Sequence, residues 1–221
     1  MGLTVDLERA RTDCDQTIEA FVRAAGSLDE HELLGASRCH GWTRLDVVVH
    51  VIAGWQEMLG GLVCRTAEPP TVDAASYWTA FAEEYGSEDA VAALMSQRRR
   101  TAAYARPGAA TAQLRDVATA LARGVRGCTE ERREWQGHVF AAGDFLAIWA
   151  VENVVHHLDL LTEVPAPAGA LNLARRTVEE LAGGALPSAW SDLDAVLAGA
   201  GRAPAPWCED DAIASRLPVL G

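Results

Sequence analysis

The sequence predicts an all-α protein, built on an up-and-down bundle of four long helices with a small C-terminal helical annex. Apolar residues recur at helical spacing along most of the 221 residues, and clear β alternation is nearly absent. Glycine and proline residues divide this pattern into segments of helix length. We place the bundle in residues 1–164 and the annex in residues 165–221.

Residues 4–25 form the first predicted helix because their apolar side chains fall on one stripe at helical spacing. That stripe consists of Leu7, Ala10, Cys14, Ile18, Phe21 and Val22. Residues 26–41 are predicted to be a connector. Thr43, followed three residues later by Asp46, is a variant of the capping box. It predicts that a second helix begins there and runs to about Cys64.

The helical pattern continues through the rest of the chain. Gly86 and Pro107–Gly108 interrupt it. The helical pieces expected on either side cover residues 74–85, 88–105 and 110–127. The segment RREWQGHVF, residues 132–140, is predicted to be a crossing loop with room for a short extended piece.

A strong helix is predicted from about Ala142 to Thr162, where the segment EVPAPAG ends it. Two shorter helices, near residues 170–185 and 188–199, are expected to form the annex. A loop rich in proline and glycine and a short tail follow them.

The chain carries a net charge of −12, from 31 acidic and 19 basic residues, and is a poor candidate for binding nucleic acid through its phosphates. Its N-terminus is charged and lacks an apolar signal core, and no window reaches about 18 uncharged apolar residues. We therefore expect a cytoplasmic protein without a membrane span. The cysteines form no CxxC pair, which favours reduced thiols. They are Cys14, Cys39, Cys64, Cys128 and Cys208.

The helix predicted from Ala142 carries charged groups in an apolar segment, VENVVHHLDL, residues 151–160. Glu152 and His156 are four residues apart and therefore lie one turn apart on the same face. Because the helix is apolar on most sides, Glu152 should lie inside the bundle, where a charge is costly without a partner. Three partners are conceivable: an arginine, a hydrogen-bonding group for protonated Glu152, or a divalent metal ion.

A metal site needs a third ligand from another helix, and His50 is the best candidate. It lies in DVVVHVIAGW, again an imidazole in an apolar run. Periodicity leaves two alternatives open: His50 belongs to a solvated stripe with Asp46 and Glu57, or it faces the bundle interior. His157 points about 100° away from His156 and is expected to have a structural or supporting role.

Two motifs resemble a known family. CHGWTRLDVVVHVIAGW, residues 39–55, is followed later in the chain by DFLAIWAVENVVHHLDL, residues 144–160. In this order they resemble the mycothiol-dependent maleylpyruvate isomerase family, which belongs to a DinB-like group of metal-binding four-helix bundles. The tail GAGRAPAPWCEDDAIASRLPVLG also resembles the C-terminal ends of actinobacterial members. The resemblance therefore covers most of the chain.

The resemblance implies that His50, Glu152 and His156 hold a divalent metal. Zn²⁺ is expected first, and Fe²⁺, Ni²⁺ or Co²⁺ suit the same donors. Mycothiol is implied as the thiol cosubstrate. Members often carry an arginine three residues before the motif glutamate, where this chain has Trp149, so the pocket beside the metal should be more apolar and less suited to an anionic substrate. Arg202 is a candidate for the substrate-binding arginine of the annex.

Three protein ligands leave a coordination position open for a thiol. We therefore expect a mycothiol S-transferase or isomerase in which a metal-bound thiolate attacks a small electrophilic substrate, with no protein side chain as nucleophile. Two alternatives stay open. One is a hydrolase or lyase that uses metal-bound water. The other is a non-enzymatic metal-binding bundle whose fourth position is closed by Cys39 or His40.

Other polar and aromatic residues have candidate roles around the metal. Asp46 and Asp159 each lie one turn from a ligand histidine and could accept a hydrogen bond from its far ring nitrogen, the alternative being helix capping or solvation. Trp42 is expected to pack in the core or to line the pocket mouth. The arginines at residues 98–100 are expected to form a solvated face, or else to contact an anionic or sugar-bearing cosubstrate.

Overall fold

The computed structural model describes residues 2–86, 89–207 and 211–220, and it confirms the all-α prediction. Its helices are α1 (Leu7–Gly26), α2 (Glu30–Leu33), α3 (Arg44–Val63), α4 (Ser76–Tyr85), α5 (Ala90–Thr101), α6 (Pro107–Arg126), α7 (Ala142–Asp159), α8 (Ala168–Ala182), α9 (Asp192–Gly199) and α10 (Asp211–Ala214). A small antiparallel sheet has the strand order β1–β2–β3. Its strands are β1 (Arg65–Thr66), β2 (Arg132–Trp135) and β3 (His138–Phe140).

Four long helices, α1, α3, α6 and α7, form the bundle. The N-termini of α3 and α6 meet at one end, beside α2. There the Arg44 guanidinium donates to the carbonyl oxygen of Glu32 (3.2 Å), and the Gly108 N–H donates to the Glu30 carboxylate (2.8 Å). α3 and α6 therefore run parallel, and the connection of residues 64–106 returns the chain along the bundle.

Local sequence signals set several helix ends. The side chains of Thr43 and Asp46 each accept a hydrogen bond from the other's backbone N–H, which confirms the capping box predicted for α3. α6 begins at Pro107, three residues before the predicted start. Proline fits the first position of a helix because the N–H that it lacks would have no partner there. Gly183 ends α8 with a φ angle of 74°, a left-handed conformation that favours glycine.

The segment predicted to be a crossing loop with room for a short extended piece is a β-hairpin. β2 and β3 pair on either side of Gln136 and Gly137, whose φ angles are 49° and 74°. Two positive φ angles in a two-residue loop match the twist of the flanking strands. The sequence does not indicate this hairpin because strands of four and three residues are too short to show alternation.

α7 is the central helix of the fold, as its apolar sequence predicts. Every residue from 142 to 151 is buried, and the helix packs on α1, α3, α8 and the sheet. The main core extends into α8 through Leu173, whereas a second, small cluster around Trp190 lies within the annex. The domain boundary placed near residue 164 stays a prediction.

The described ranges contain no helix that is both long and apolar enough to cross a membrane. Four cysteines, Cys14, Cys39, Cys64 and Cys128, carry free thiols, in line with the expectation of reduced cysteines. The fifth, Cys208, lies outside the described residues.

Asp144 carries an unfavourable charge near the start of α7. Its carboxylate is 3% exposed and accepts a hydrogen bond from the Val5 N–H (2.7 Å), and burial raises the pKa of Asp144 to about 6. The folded protein thus binds this proton more tightly than the unfolded chain, in which the pKa is about 3.9. The group therefore favours folding below about pH 4, and this contribution is lost as the pH rises through about 6.

We expect Asp144→Asn to raise the free energy of unfolding by about 1–3 kcal/mol near pH 7.5, because the amide needs no ionisation in the buried site. Near pH 4 the variant should differ little from the wild type. Urea denaturation at both pH values measures the difference, and Asp116→Asn, at an exposed position of α6, is the matched control. A stability change of the same size at both pH values would show that ionisation of Asp144 is not its cause.

Candidate metal centre

Three side chains from two helices converge on one point. α3 supplies His50, and α7 supplies Glu152 and His156 from successive turns. The Oε1 atom of Glu152 lies 3.5 Å from His50 Nε2 and 3.1 Å from His156 Nε2. The centroids of the two imidazole rings are 4.8 Å apart. One carboxylate and two imidazoles thus face one another between α3 and α7, so that His50 faces the bundle rather than a solvated stripe.

The geometry and chemistry of these donors suit a divalent metal ion. All three donor atoms lie within 4.8 Å of one another. Donors at about 2.0–2.1 Å from a tetrahedral Zn²⁺ ion stand roughly 3.3 Å apart, which is close to the separations of 3.1 and 3.5 Å in this site. Two imidazoles and one carboxylate also suit Fe²⁺, Ni²⁺ or Co²⁺. The residues therefore fit a metal ion with three protein ligands.

The site opens to solvent on the side of His50 and Glu152. Their side chains are 33% and 32% exposed, whereas that of His156 is 8% exposed. Trp42 is half-buried, and its ring centroid lies 5.2 Å from that of His50. A ligand from solution can therefore reach the donors on the side where Trp42 contacts the His50 ring.

The Asp159 carboxylate forms a hydrogen bond with the second ring nitrogen of His156. Its Oδ2 atom lies 3.0 Å from His156 Nδ1, and the carboxylate is fully buried. The same carboxylate accepts hydrogen bonds from Cys39 Sγ (3.0 Å) and Arg202 Nε (3.0 Å). Because Nδ1–H donates to Asp159, the Nε2 atom keeps its lone pair free when the ring is neutral, as a metal ligand requires.

Burial and neighbouring charges shift the ionisation of the site. Burial alone would raise the pKa of the Glu152 carboxyl. The nearby His156 and His50 have the opposite, larger effect and hold this pKa well below its usual range. Burial also opposes the charge on His156, but Glu152 and Asp159 raise the pKa of this imidazole well above its usual value. The pKa of His50 is lowered, chiefly by burial.

A second group of donors, Cys39, His156 and Asp159, also lies within reach of a single ion, on the Nδ1 side of the His156 ring. All three are buried, and the Arg202 guanidinium already pairs with Asp159 (3.0 Å). A cation at this position would meet the charge of that arginine at short range. The first triad, which opens to solvent, is therefore the better candidate.

Cys39 and His40 are the two candidates for a fourth protein ligand of the triad. The thiol of Cys39 bonds to Asp159 on the far side of His156, and His40 is exposed in the connector. Neither belongs to the triad of His50, Glu152 and His156.

Asp46 does not contact His50, contrary to the expectation for a supporting residue. Its carboxylate accepts hydrogen bonds from the Thr43 N–H (2.8 Å) and from Thr101 Oγ1 (2.6 Å). At the third position of α3, this carboxylate is close to the N-cap residue. The alternative interpretation, helix capping, therefore describes Asp46.

Arg202, the candidate substrate-binding arginine, forms hydrogen bonds within the protein. Its Nε and Nη2 atoms donate to the two oxygens of Asp159 at 3.0 and 3.5 Å, and Nη1 donates to the carbonyl oxygen of Ala200 (3.0 Å). The annex thus contacts the candidate site through Asp159. Arg202 is placed to position His156 indirectly.

His157 and Trp149 are both buried in the fold. His157 Nε2 lies 2.7 Å from the carbonyl oxygen of Val164, so this residue supports the chain beyond α7 and not the ligands. Trp149 is 5% exposed, and a Cβ atom added to Gly54 would lie 3.2 Å from its ring. Trp149 lies one turn before Glu152, and its ring packs against the Trp135 ring with centroids 5.0 Å apart.

The connector packs against the C-terminal end of α7, a contact that the sequence does not indicate. The Arg38 N–H donates to the carbonyl oxygen of Asp159 (3.0 Å), and its Nε atom donates to that of Leu158 (3.4 Å). These bonds satisfy carbonyl groups at the end of the helix and bring Cys39 against Asp159. Cys39 and Asp159 are 120 residues apart, so local sequence patterns cannot reveal their contact.

Comparison with known proteins supports the family that the motifs resemble. A family model described as the mycothiol maleylpyruvate isomerase N-terminal domain matches residues 14–161. A crystal structure of mycothiol-dependent maleylpyruvate isomerase is 16% identical, covers 90% of each chain and superposes with a TM-score of 0.62. A histidine-to-alanine mutant of the same enzyme is 15% identical over 90% of each chain, with a TM-score of 0.58.

At these identities the two crystal structures show the fold alone, and they confirm the predicted DinB-like helical class. No curated protein matches the chain.

Proposed function

The chain belongs to the mycothiol maleylpyruvate isomerase family, and on that basis we propose that it is a divalent-metal-dependent enzyme that uses mycothiol as a cosubstrate. The proposed reaction is S-transfer to, or isomerisation of, a small electrophilic substrate. The observation that carries this proposal is the convergence of His50 Nε2, Glu152 Oε1 and His156 Nε2 on one point with an open side.

The three donors are proposed to hold Zn²⁺. When bound, Zn²⁺ lowers the pKa of a thiol and so supplies a thiolate nucleophile at neutral pH. Glu152 offsets part of the cation's charge, while His50 and His156 supply neutral nitrogen donors. Asp159 orients the His156 ring through Nδ1, and Arg202 holds the Asp159 carboxylate in place.

The surroundings of the triad favour an electrophile with an apolar part. Trp149 lies one turn before Glu152, and Trp42 contacts the His50 ring. Aromatic side chains at these positions can pack against the apolar part of such a substrate and orient it toward the thiolate.

We expect the zinc-loaded protein to accelerate the reaction of mycothiol with 1-chloro-2,4-dinitrobenzene. In this test reaction a carbon–sulfur bond forms, chloride leaves and the thiol proton passes to the buffer. Removing the metal with a chelator should reduce the rate to that of the uncatalysed reaction, and adding Zn²⁺ back should restore it. Product absorbance measures the rate, and a parallel assay with maleylpyruvate tests isomerisation.

Two results would count against this function. Release of a hydrolysis product in the absence of mycothiol would favour the hydrolase alternative, because water would then be the nucleophile. A full rate in protein shown by elemental analysis to be metal-free would remove the proposed role of the triad.

A further inference from the structure

A cavity of about 400 Å³ lies between α3, α5 and α6. Its volume falls within the range of small-molecule sites, about 300–1,000 Å³. Its lining divides into an apolar part and a polar part. The apolar part is Val49, Ile52, Ala53 and Ala103. The polar part is Gln56, Arg100, Tyr104 and Gln113.

The cavity borders the face of α3 that adjoins His50, and the α3 residues lining it lie about 60–160° around the helix axis from His50. Val49 directly precedes His50 on α3, and Ala53 follows it by three residues, which is about 60° around the helix axis. A molecule with one end at the open side of the triad can therefore extend around α3 into the cavity.

Arg100 is an exposed cation in a chain with a net charge of −12. In the part of the chain that the structure describes, it forms no salt bridge with a carboxylate, unlike Arg106, which pairs with Glu30 at 2.7 Å. Its hydrogen-bond donors are therefore available to a ligand in the cavity.

The other polar groups suit hydroxyl groups better than a carboxylate. The Tyr104 hydroxyl donates to Gln113 Oε1 (3.0 Å), which leaves the Tyr104 oxygen lone pairs and the Gln113 NH₂ group for a ligand. Gln56 offers both a donor and an acceptor. A carboxylate only accepts hydrogen bonds, whereas a hydroxyl group both donates and accepts and can satisfy all of these groups. The apolar wall can pack against the C–H faces of sugar rings.

We propose that this cavity binds the hydroxyl-rich, sugar-bearing part of the thiol cosubstrate while its sulfur lies at the metal centre. This inference rests on the proposed function and extends it, since it assigns the part of mycothiol remote from the reaction to Arg100, Gln113, Tyr104 and Gln56. The binding energy of that part would select mycothiol over smaller thiols.

The test compares two thiols in zinc-loaded Arg100→Ala and Gln113→Leu. Losing one or two hydrogen bonds should raise the KM for mycothiol about 5- to 20-fold. The kcat with mycothiol, and the kcat/KM for N-acetylcysteine, which lacks the sugar, should stay within about twofold of the wild type. Arg99→Ala, on the same helix but outside the cavity, is the matched control, and circular dichroism melts check folding.

Equal losses with both thiols would overturn the proposal, because the substitutions would then act on the metal centre or the fold. A higher KM for an anionic electrophile, with the mycothiol KM unchanged, would overturn it in favour of an anion site.

A binding measurement separates this proposal from the proposed function. Calorimetry with the sugar-bearing part of mycothiol, prepared without its cysteine, requires no turnover. Binding to the wild type that is lost in both variants supports the cavity assignment, even if no thiol is turned over. Turnover of mycothiol without any binding of this fragment, and with unchanged KM values in the variants, overturns the cavity assignment and leaves the proposed function intact.

Discussion

Replacing His156 with alanine, or Glu152 with glutamine, is expected to leave the purified protein without stoichiometric metal and to lower kcat/KM by more than about 100-fold. Outer partners of metal ligands typically contribute 10- to 100-fold to metal affinity or activity, so loss of a ligand itself should cost more than about 100-fold. Glu152→Gln keeps the side-chain shape and removes the negative charge that attracts the cation. Elemental analysis measures the metal content, and the thiol-transfer assay measures kcat/KM.

His40→Ala is the matched control for these two variants. His40 is another histidine close to the first motif, but it is exposed and is not one of the three convergent donors. It should retain metal and activity. Stoichiometric metal in both His156→Ala and Glu152→Gln would refute the assignment of the site, and circular dichroism shows whether each variant is folded.

Asp159→Asn is expected to affect both stability and metal affinity. Its carboxylate is fully buried and accepts hydrogen bonds from Cys39 and Arg202 as well as facing His156 Nδ1. Without it the largely buried Arg202 charge loses its partner, which should lower the free energy of unfolding of the metal-free protein by about 3 kcal/mol. Zinc affinity should fall about 10- to 100-fold, because His156 is no longer held in its orientation. Urea denaturation and a competing chelator measure the two quantities.

A second substitution separates the two effects of Asp159→Asn. Adding Arg202→Met removes the unpaired charge, so the double variant should recover much of the lost stability. It should not recover zinc affinity, since the hydrogen bond to His156 is still altered. Unchanged zinc affinity in Asp159→Asn would show that this carboxylate does not position the ligand.

The sequence predicts the fold well because the bundle depends on local signals. The apolar stripe of α1, the capping box at Thr43 and the apolar surface of α7 each follow from residues that are close in sequence. Errors occur where this signal is weak. The strands of the β2–β3 hairpin are too short to alternate, and α6 begins at Pro107 rather than beyond it.

The sequence likewise predicts those parts of the candidate site that depend on residues close together in the chain. The spacing of Glu152 and His156 places both on one face of a helix, whereas periodicity alone leaves two orientations open for His50. The sequence nevertheless indicates His50 as the best third ligand, the resemblance to a family supports it, and the structure brings it next to the other two. The contacts of Arg202 and Cys39 with Asp159 join distant parts of the chain, and only the folded structure reveals them.

The sequence indicates the cavity beside the candidate site even less clearly than it indicates the site itself. Gln56 and Gln113 belong to no motif, and Arg100 is one of three consecutive arginines that fit a solvated face equally well. What distinguishes Arg100 is its position between α3 and α6, which depends on packing of the helices. Sequence periodicity does not specify that packing.

X-ray absorption at the zinc edge, before and after addition of mycothiol, tests the central claim most directly. We expect nitrogen and oxygen ligands at about 2.0–2.1 Å without sulfur in the thiol-free protein, and one sulfur at about 2.3 Å once mycothiol is present. A sulfur ligand before the thiol is added would place the metal at Cys39 instead. An unchanged set of ligands at saturating mycothiol would contradict the proposed binding of the thiol at the open side of His50, Glu152 and His156.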